Sequence, residues 1–529
     1  MGLYNDLRKT FRYARGLRDY WRRPLNLGDP AATVRAAQAR RENAFAEALR
    51  RSVYQYADSP YLWLLRNAGI EEPDVAALVA EHGLEGALRR LHDAGVYVTL
   101  DEFKGNAPIR RGSQTLETDA ASFDNPASAG QLPGSTGASR SRGTRLVLAL
   151  DELDAMQPAR YLHFAAHDLL GRPWITWRPA PPALGGLYVN LLSVKLGLPL
   201  VRWFSQTQPG LGPTAGKSVA LSSITFLVSH ASGRPIPLPE YAPMDRADIV
   251  ARWLAEQTAQ GARLHVDLAP SSAMRVCLAA RELGLDISGH IMRTSSEPLT
   301  EAKAALLTEA GLGYCSAYAI LEGGTLGLSC GDPVAVDDQH LLTDRVAAIQ
   351  DARSFEGLDE PVGALLLTVF GPPMHKVMLN VETGDHGVLL ERGCDCPLGA
   401  AGLHTHLHTI RSYEKLTSAG MSFMGSALLD VLETALPARY GGGPTDYQFV
   451  ESEIEGETVV KLVIAPGIGP LDEGQVIAYT LEELARRTRA GRMQTQIWRD
   501  SGTLRIERAQ PYLTPAAKIQ PLHVERRGR

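Results

Sequence analysis

Between residues 263 and 324, short apolar runs alternate with segments whose apolar positions recur every three to four residues. The pattern predicts a strand over 264–268, a helix over 271–284, a strand over 287–292, a helix over 299–311 and a strand over 313–320. A β-α-β-α-β order at ordinary connection lengths predicts a parallel sheet covered by helices. Ligands of such sheets bind beyond the carboxyl ends of the strands, which here are the loops 294–298 and 322–324. Upstream, residues 31–49 read as an amphipathic helix with a solvated charged face, and 60–95 as a helical block broken at Gly69 and Gly83. Residues 363–368, 377–381 and 387–390 read as antiparallel strands. The last stretch, from about 412, predicts a helix over 425–436, a strand over 457–464, a helix over 480–490 and a strand over 503–507. The fold class expected is therefore α/β: a large N-terminal domain, 1–410, with parallel sheets flanked by helices, and a small C-terminal α+β domain, 411–529.

Composition narrows the function classes. A length of 529 residues suits more than one domain. Hydrophobic residues at 44% and charged residues at 21% can support a packed core. A net charge of −5 gives no electrostatic drive toward nucleic acid. No apolar run approaches the roughly 18 residues of a membrane span, the basic N-terminus lacks the apolar core of a secretory signal, and five cysteines do not make a secreted disulfide framework. A cytoplasmic protein is expected.

Three features suggest chemistry. Residues 113–143, rich in Gly, Ser, Asn and Pro, end in Pro133-Gly-Ser-Thr-Gly-Ala-Ser-Arg-Ser-Arg-Gly143. Backbone N–H groups of such a loop can wrap phosphate oxygens while arginines supply counter-charge; a linker would look the same. Gly212-Pro-Thr-Ala-Gly-Lys217-Ser218 imitates a Walker A loop, but position 211 is leucine and the spacing fails. Cys330, His340, Cys394 and Cys396 fit a closed, structural zinc site of three thiolates and one imidazole, with buried free cysteines as the alternative. His404, His406 and His408 alternate at strand period and read as a polar strand face, and Cys277 and Cys315 read as core. Trp174, Trp177, Trp203 and Phe204 read first as core aromatics.

The order of short motifs carries a resemblance. Along the chain come the Ser/Thr/Gly loop, Ser296-Glu-Pro-Leu299, Tyr318-Ala-Ile-Leu-Glu322-Gly-Gly, Glu382-Thr-Gly-Asp385, Ile410-Arg-Ser-Tyr-Glu414 and Pro515-Ala-Ala-Lys518. From about Ser59 to Lys518 this resembles the adenylate-forming (ANL) superfamily, in particular its phenylacetate–CoA ligase branch. The resemblance implies ATP-dependent activation of a carboxylic acid to an acyl-adenylate, then transfer to a thiol, usually that of CoA. A carrier-protein thiol or an amine as acceptor, or a non-catalytic nucleotide-binding relative, are the alternatives.

Residue by residue, the resemblance implies that Ser135, Thr136 and Gly137 lie against the β- and γ-phosphates, with Arg140 or Arg142 replacing the absent loop lysine. Ser296, Glu297 and Pro298 would line the adenine, with Tyr318 beside them. Glu322 would sit by Mg²⁺ and the α-phosphate, and Asp385 with Arg411 would take the ribose. Glu414 would lie in the hinge, and Lys518 would reach the α-phosphate and the carboxylate. Partners would be a small-molecule carboxylic acid, ATP and the acceptor thiol, with a homodimer as the assembly. Zinc at Cys330, His340, Cys394 and Cys396 also matches the branch, as does an acyl pocket near the tryptophans. The chain departs from the pattern at Ala319, Leu321, Asn380, Ile410 and Tyr413.

Overall fold

The computed structural model describes residues 13–126, 132–135, 145–148, 150–181, 183–207, 215–320, 322–353, 361–371, 375–412, 416–418, 421–423, 425–454, 457–487, 504–514 and 518–524. One twelve-stranded sheet organises most of them. Its strands are β1 (Trp174–Trp177), β2 (Leu200–Ser205), β3 (Glu240–Tyr241), β4 (His265–Leu268), β5 (Ile291–Ser295) and β6 (Gly313–Ile320). Then follow β7 (Gly324–Ser329), β8 (Gln339–Leu341), β9 (Val346–Arg353), β10 (Val362–Val369), β11 (Met378–Glu391) and β12 (Thr405–Ser412). In space they run β9-β10-β11-β12-β8-β7-β6-β5-β4-β1-β2-β3.

From β3 to β6 every neighbour is parallel, and from β6 to β9 every neighbour is antiparallel. Within the parallel half, β1 and β4 are buried at every residue, as crossover helices on both faces require, and the edge strand β3 is exposed. Helices α1 (Gln157–Ala166) and α2 (Gly185–Lys195) pack over Trp174 and Trp203. The opposite face, with Ile175, Trp177, Val266 and Met292, meets the helix Ala247–Ala259, α3 (Pro270–Glu282) and α4 (Glu301–Glu309). The expected β-α-β-α-β run is present as β4-α3-β5-α4-β6, with β5 beginning at Ile291 rather than 287.

Two expected strands at 377–381 and 387–390 are one, the 14-residue β11. Partners on both sides, β10 and β12, take up its backbone groups, and the intervening Gly384 adopts φ +81°, where a side chain would be strained. Asn380 also stands at positive φ, +48°. Its amide donates to the carbonyls of Leu88 (2.8 Å) and Val96 (3.1 Å), so this departure from the adenylate-forming pattern ties the antiparallel half to the helix Glu72–Asp93. That helix is kinked at Gly83, as read from sequence, whereas the single helix expected over 31–49 is two, Pro30–Gln38 and Arg41–Leu49.

After Ser412 the chain builds a second sheet of β13 (Tyr447–Ile454), β14 (Glu457–Ile464), β15 (Leu504–Arg508) and β16 (Leu522–Val524), ordered β15-β14-β13-β16. The helix expected over 480–490 starts earlier, as Glu473–Arg487, because Asp472 caps it by accepting from Gln475 N at 2.9 Å. The helix expected over 425–436 divides into Gly425–Asp430, a π-turn Val431–Ala435 and Leu436–Tyr440. Pro437 has no N–H to return to the Glu433 carbonyl, so the helix widens ahead of it. The turn directs Glu433 into α4. Its carboxylate lies 2.7 Å from Lys303 Nζ and accepts from Thr300 Oγ1 at 2.5 Å, while Lys303 also donates to the Pro298 carbonyl at 3.1 Å.

Lys303 and Glu433 are both buried, so either one left alone is a desolvated charge. Lys303→Met is expected to destabilise the protein by about 3 to 5 kcal/mol, read as a lower urea midpoint. Lys303→Met with Glu433→Leu should recover most of that loss, and a double variant no better than the single would contradict the assignment.

Candidate functional site

A cleft of about 300 Å³ opens beyond the carboxyl ends of β5 and β6, where the sheet changes from parallel to antiparallel. One wall is the loop Ser296, Glu297, Pro298; another is β6 from Ser316 to Ile320; a third holds Asp385 and Arg411; the segment from Lys518 to Pro521 closes it. Six residues implied by the resemblance, together with Lys518, therefore meet around one space.

Ser296 stands at φ +78°. A non-glycine residue in that region costs on the order of 1 kcal/mol or more, and here the turn aims the Ser296 carbonyl at Lys518, whose Nζ donates to it at 3.2 Å. Glu297 walls the cleft with its carboxylate already engaged. It accepts from Ser271 N (2.9 Å) and Ser271 Oγ (2.8 Å), capping α3 and fixing the loop. Tyr318 donates from its hydroxyl to Asp385 at 2.8 Å, so two implied nucleotide contacts are joined before any ligand arrives. Arg411 donates to Asp337 at 2.8 Å, and Asp337 also accepts from the backbone N–H groups of Thr409 and Ile410.

Lys518 is held by the second sheet. Its N–H donates to Thr514 Oγ1 at 3.1 Å, and its carbonyl accepts from Thr514 N at 2.9 Å. The buried amide of Gln448, on β13, donates to the carbonyls of Tyr512 (3.1 Å) and Gln520 (2.8 Å) and accepts from Tyr512 N (2.6 Å). Burial lowers the Lys518 ammonium below the usual lysine value, with Glu297 opposing that shift and Arg178 adding to it.

Glu322 occupies the turn between β6 and β7 and is not among the residues that wall the cleft. Ser135 ends a hairpin of Leu132–Ser135 with Arg145–Leu148, in register with Arg145. Thr136, Gly137, Arg140, Arg142, Leu321, Tyr413 and Glu414 lie outside the described residues. Asp337, Gln339 and Ser316 line the cleft unforeseen, and Gln339 donates to Ser316 Oγ at 2.5 Å. The adjacent acids Asp337 and Asp338, three and two residues before His340, were the available signal. Trp174, Trp177, Trp203 and Phe204 are all buried core. Cys277 and Cys315 are core as well, their thiols pushed up to about 12 by burial.

Away from the cleft, the antiparallel half gathers the remaining cysteines. Cys394 Sγ lies 3.6 Å from Cys330 Sγ, 3.5 Å from Cys396 Sγ and 3.5 Å from His340 Nε2, and Cys396 Sγ is 3.1 Å from His340 Nε2. Four donors about 2.3 Å (sulfur) or 2.0 Å (nitrogen) from a tetrahedral zinc stand roughly 3.5 to 3.8 Å apart; the three Cys394 distances fit the ion, and the Cys396–His340 pair is closer than that geometry. The Leu403 carbonyl, 2.7 Å from His340 Nδ1, accepts its proton and leaves Nε2 as the donor atom. His406 was read as part of a polar strand face, yet it is buried and offers a ligand atom within 4.8 Å of those of Cys330, His340 and Cys394. Asp338, on its Nδ1 at 2.8 Å and on Arg392 at 3.0 Å, holds that side of the cluster.

No helix among the described residues is long and apolar enough to cross a membrane. No family model matches the chain, and no curated protein does. Solved structures do. A 2-hydroxyisobutyryl-CoA ligase in its postadenylation state, in complex with 2-HIB-AMP, aligns over 93% of this chain and 89% of its own at 13% identity and a TM-score of 0.55. ATP-bound MatB from Rhodopseudomonas palustris aligns over 87% and 79% at 13% identity and a TM-score of 0.44. The chain thus shares the fold of that 2-hydroxyisobutyryl-CoA ligase, a mixed α/β architecture.

Proposed function

We propose that this protein activates a carboxylic acid with ATP to an acyl-adenylate and then transfers the acyl group to a thiol, with CoA as the acceptor. The observation that carries the reading is Lys518, delivered by the second sheet into a cleft beyond the parallel strand ends, opposite the joined Tyr318 and Asp385. A carboxylate oxygen attacking the α-phosphorus brings two anions together while pyrophosphate departs, so a fixed cation at that point lowers the barrier. In the second step the thiol attacks the acyl carbonyl and AMP leaves. Asp385, oriented by Tyr318, accepts from the ribose hydroxyls, and the Ser296 to Pro298 loop forms the adenine wall. Glu322 would hold the Mg²⁺ that accompanies ATP, and the ion would offset part of the negative charge of the phosphates. The likeness to the phenylacetate–CoA ligase branch supports an aryl acid as the starting class. The chain divides near residue 410 into the two expected domains.

Pyrophosphate release with a panel of carboxylic acids tests this. Lys518→Ala should lower acid-dependent release by about 100-fold or more, while ATP binding persists. Equal release by the variant would overturn the role of Lys518. Because burial lowers the Lys518 ammonium, its charge is lost as pH rises through a value below that of an ordinary lysine. The rate should therefore fall on the alkaline side, and Lys518→Arg should move that limb upward because a guanidinium stays protonated. A limb unmoved in Lys518→Arg would assign it to another group.

We also propose a structural zinc ion at Cys330, Cys394, Cys396 and His340, whose spacing supports closed tetrahedral ligation. Metal analysis should find one zinc per chain, and the cobalt form should show thiolate charge-transfer absorption. Cys396→Ser should release the ion and lower Tm, whereas His406→Ala should retain it. Release by His406→Ala with retention by Cys396→Ser would reassign the fourth ligand.

A further inference from the structure

The wall of the cleft carries one polar atom to which the reading above gives no role. Among the described residues that line the cleft, only Gln339 has a buried side-chain polar atom without a hydrogen-bond partner, its Oε1. Gln339 stands on β8 and is 2% exposed. Its amide nitrogen donates to Ser316 Oγ, on β6, at 2.5 Å, which leaves the carbonyl oxygen as the end presented elsewhere.

The neighbouring acceptors have their donors. Asp337 takes Thr409 N, Ile410 N and Arg411, Glu297 takes Ser271, and Asp385 takes the Tyr318 hydroxyl. Leaving a buried acceptor unmatched is costly, and folded proteins leave few of them. An amide oxygen can only accept, so the group this one is placed for is a hydrogen-bond donor.

Sheet register says which donor reaches it. Tyr318 on β6 lies opposite Gly327 on β7, and Gly327 lies opposite Leu341 on β8, two residues from Gln339. A Cβ on Gly327 would stand 3.1 Å from Gln339 Cβ and 3.5 Å from Tyr318 Cβ, so glycine there keeps the ground between the two side chains open. Tyr318 thus has its root beside Gln339 and its hydroxyl on Asp385. A nucleotide whose ribose meets Asp385 lays its base along the Tyr318 ring toward Gln339, with the loop from Ser296 to Pro298 on the other side. A purine joined to ribose at N9 has C6 on its far edge. Adenine carries an amino group there, which donates. Guanine and hypoxanthine carry an oxygen there, which would face Gln339 Oε1 with no proton between them.

We propose that Gln339, oriented by Ser316, determines nucleotide specificity: its Oε1 accepts from the C6 amino group of adenine and selects ATP over 6-oxopurine triphosphates. The assignment rests on the ligase reading above for the position of the ribose.

The test uses the full chain and its Gln339→Leu, Gln339→Glu and Ser316→Ala variants. Calorimetry with Mg²⁺ and without acid would measure the affinities for ATP, inosine triphosphate and purine riboside triphosphate, which has only hydrogen at C6. Acid-dependent pyrophosphate release would give kcat/KM for the same three. Expected is ATP at least about ten-fold ahead of both analogues. Gln339→Leu should shrink that ratio to about two-fold or less, and Gln339→Glu, which keeps an acceptor, should retain most of it. Ser316→Ala should lose part of it, and reads the same ratio should Gln339→Leu not fold. Because the ratio compares nucleotides on one protein, a general loss of structure does not imitate the result. A ratio unchanged in both Gln339→Leu and Ser316→Ala, with acid-dependent release intact, would overturn the role of Gln339 and leave the ligase reading standing. A preference for inosine triphosphate in the parent protein would mean that the amide presents its N–H instead, and overturns the proposal too. Selective ATP binding that Gln339→Leu loses, with no pyrophosphate release from any acid, would overturn the ligase reading alone.

Discussion

Two guanidinium groups closing on one carboxylate, Arg178 and Arg293 on Asp267, fix the upper end of the parallel half-sheet. Asp267 is fully buried, and despite the cost of burial the two arginines keep its carboxyl below the usual range. The pair ties β1, β4 and β5 at the level where their chains turn into loops. Arg178 extends the same network upward through Ser295 and the Leu268 carbonyl. The Ser296 turn, the Glu297 cap on α3 and the lysine opposite them all stand on that platform. A triad of this kind stabilises little by itself, because desolvation offsets attraction. Its effect is geometric: it allows few alternative positions for the loop that walls the cleft.

Much of the scaffold was legible in residue pattern because the parallel half is built from local rules. Apolar runs of strand length between amphipathic helices specify β4-α3-β5-α4-β6 closely, and β14 was read to the residue. The failures have local causes of another kind. β11 reads as two strands because Glu382-Thr-Gly-Asp385 breaks its apolar alternation, and only strands on both sides restore the pairing. The split helix at 425–440 depends on Pro437 acting backward on the turn before it.

The site was legible in a different sense. Motif order brought Ser296, Glu297, Pro298, Tyr318, Asp385, Arg411 and Lys518 to one cleft, yet could not tell what each side chain does there. Glu297 and Arg411 spend their charges on a helix end and on Asp337, so they shape the cleft through neighbours. Asp337 escaped notice because its partners are remote in sequence and a lone aspartate carries no pattern, and His406 was read within the polar face of 404–408 because nothing local shows its burial beside Asp338. The cysteines were easier: a thiol pair two residues apart is rare enough to stand out, and the sheet register joins it to Cys330 and His340.

The Gln448 amide gives Lys518 its mechanical character. Three hydrogen bonds at one buried side chain, two donated and one accepted, bind the chain on both sides of the lysine to an inner strand of the second sheet. The conformational entropy of placing that ammonium is therefore settled when the sheet folds, not when nucleotide arrives. Tyr512 to Thr514 and Lys518 to Gln520 then resemble a tool on a handle more than a tail that searches for its target, and a displacement of the lysine carries the second sheet with it.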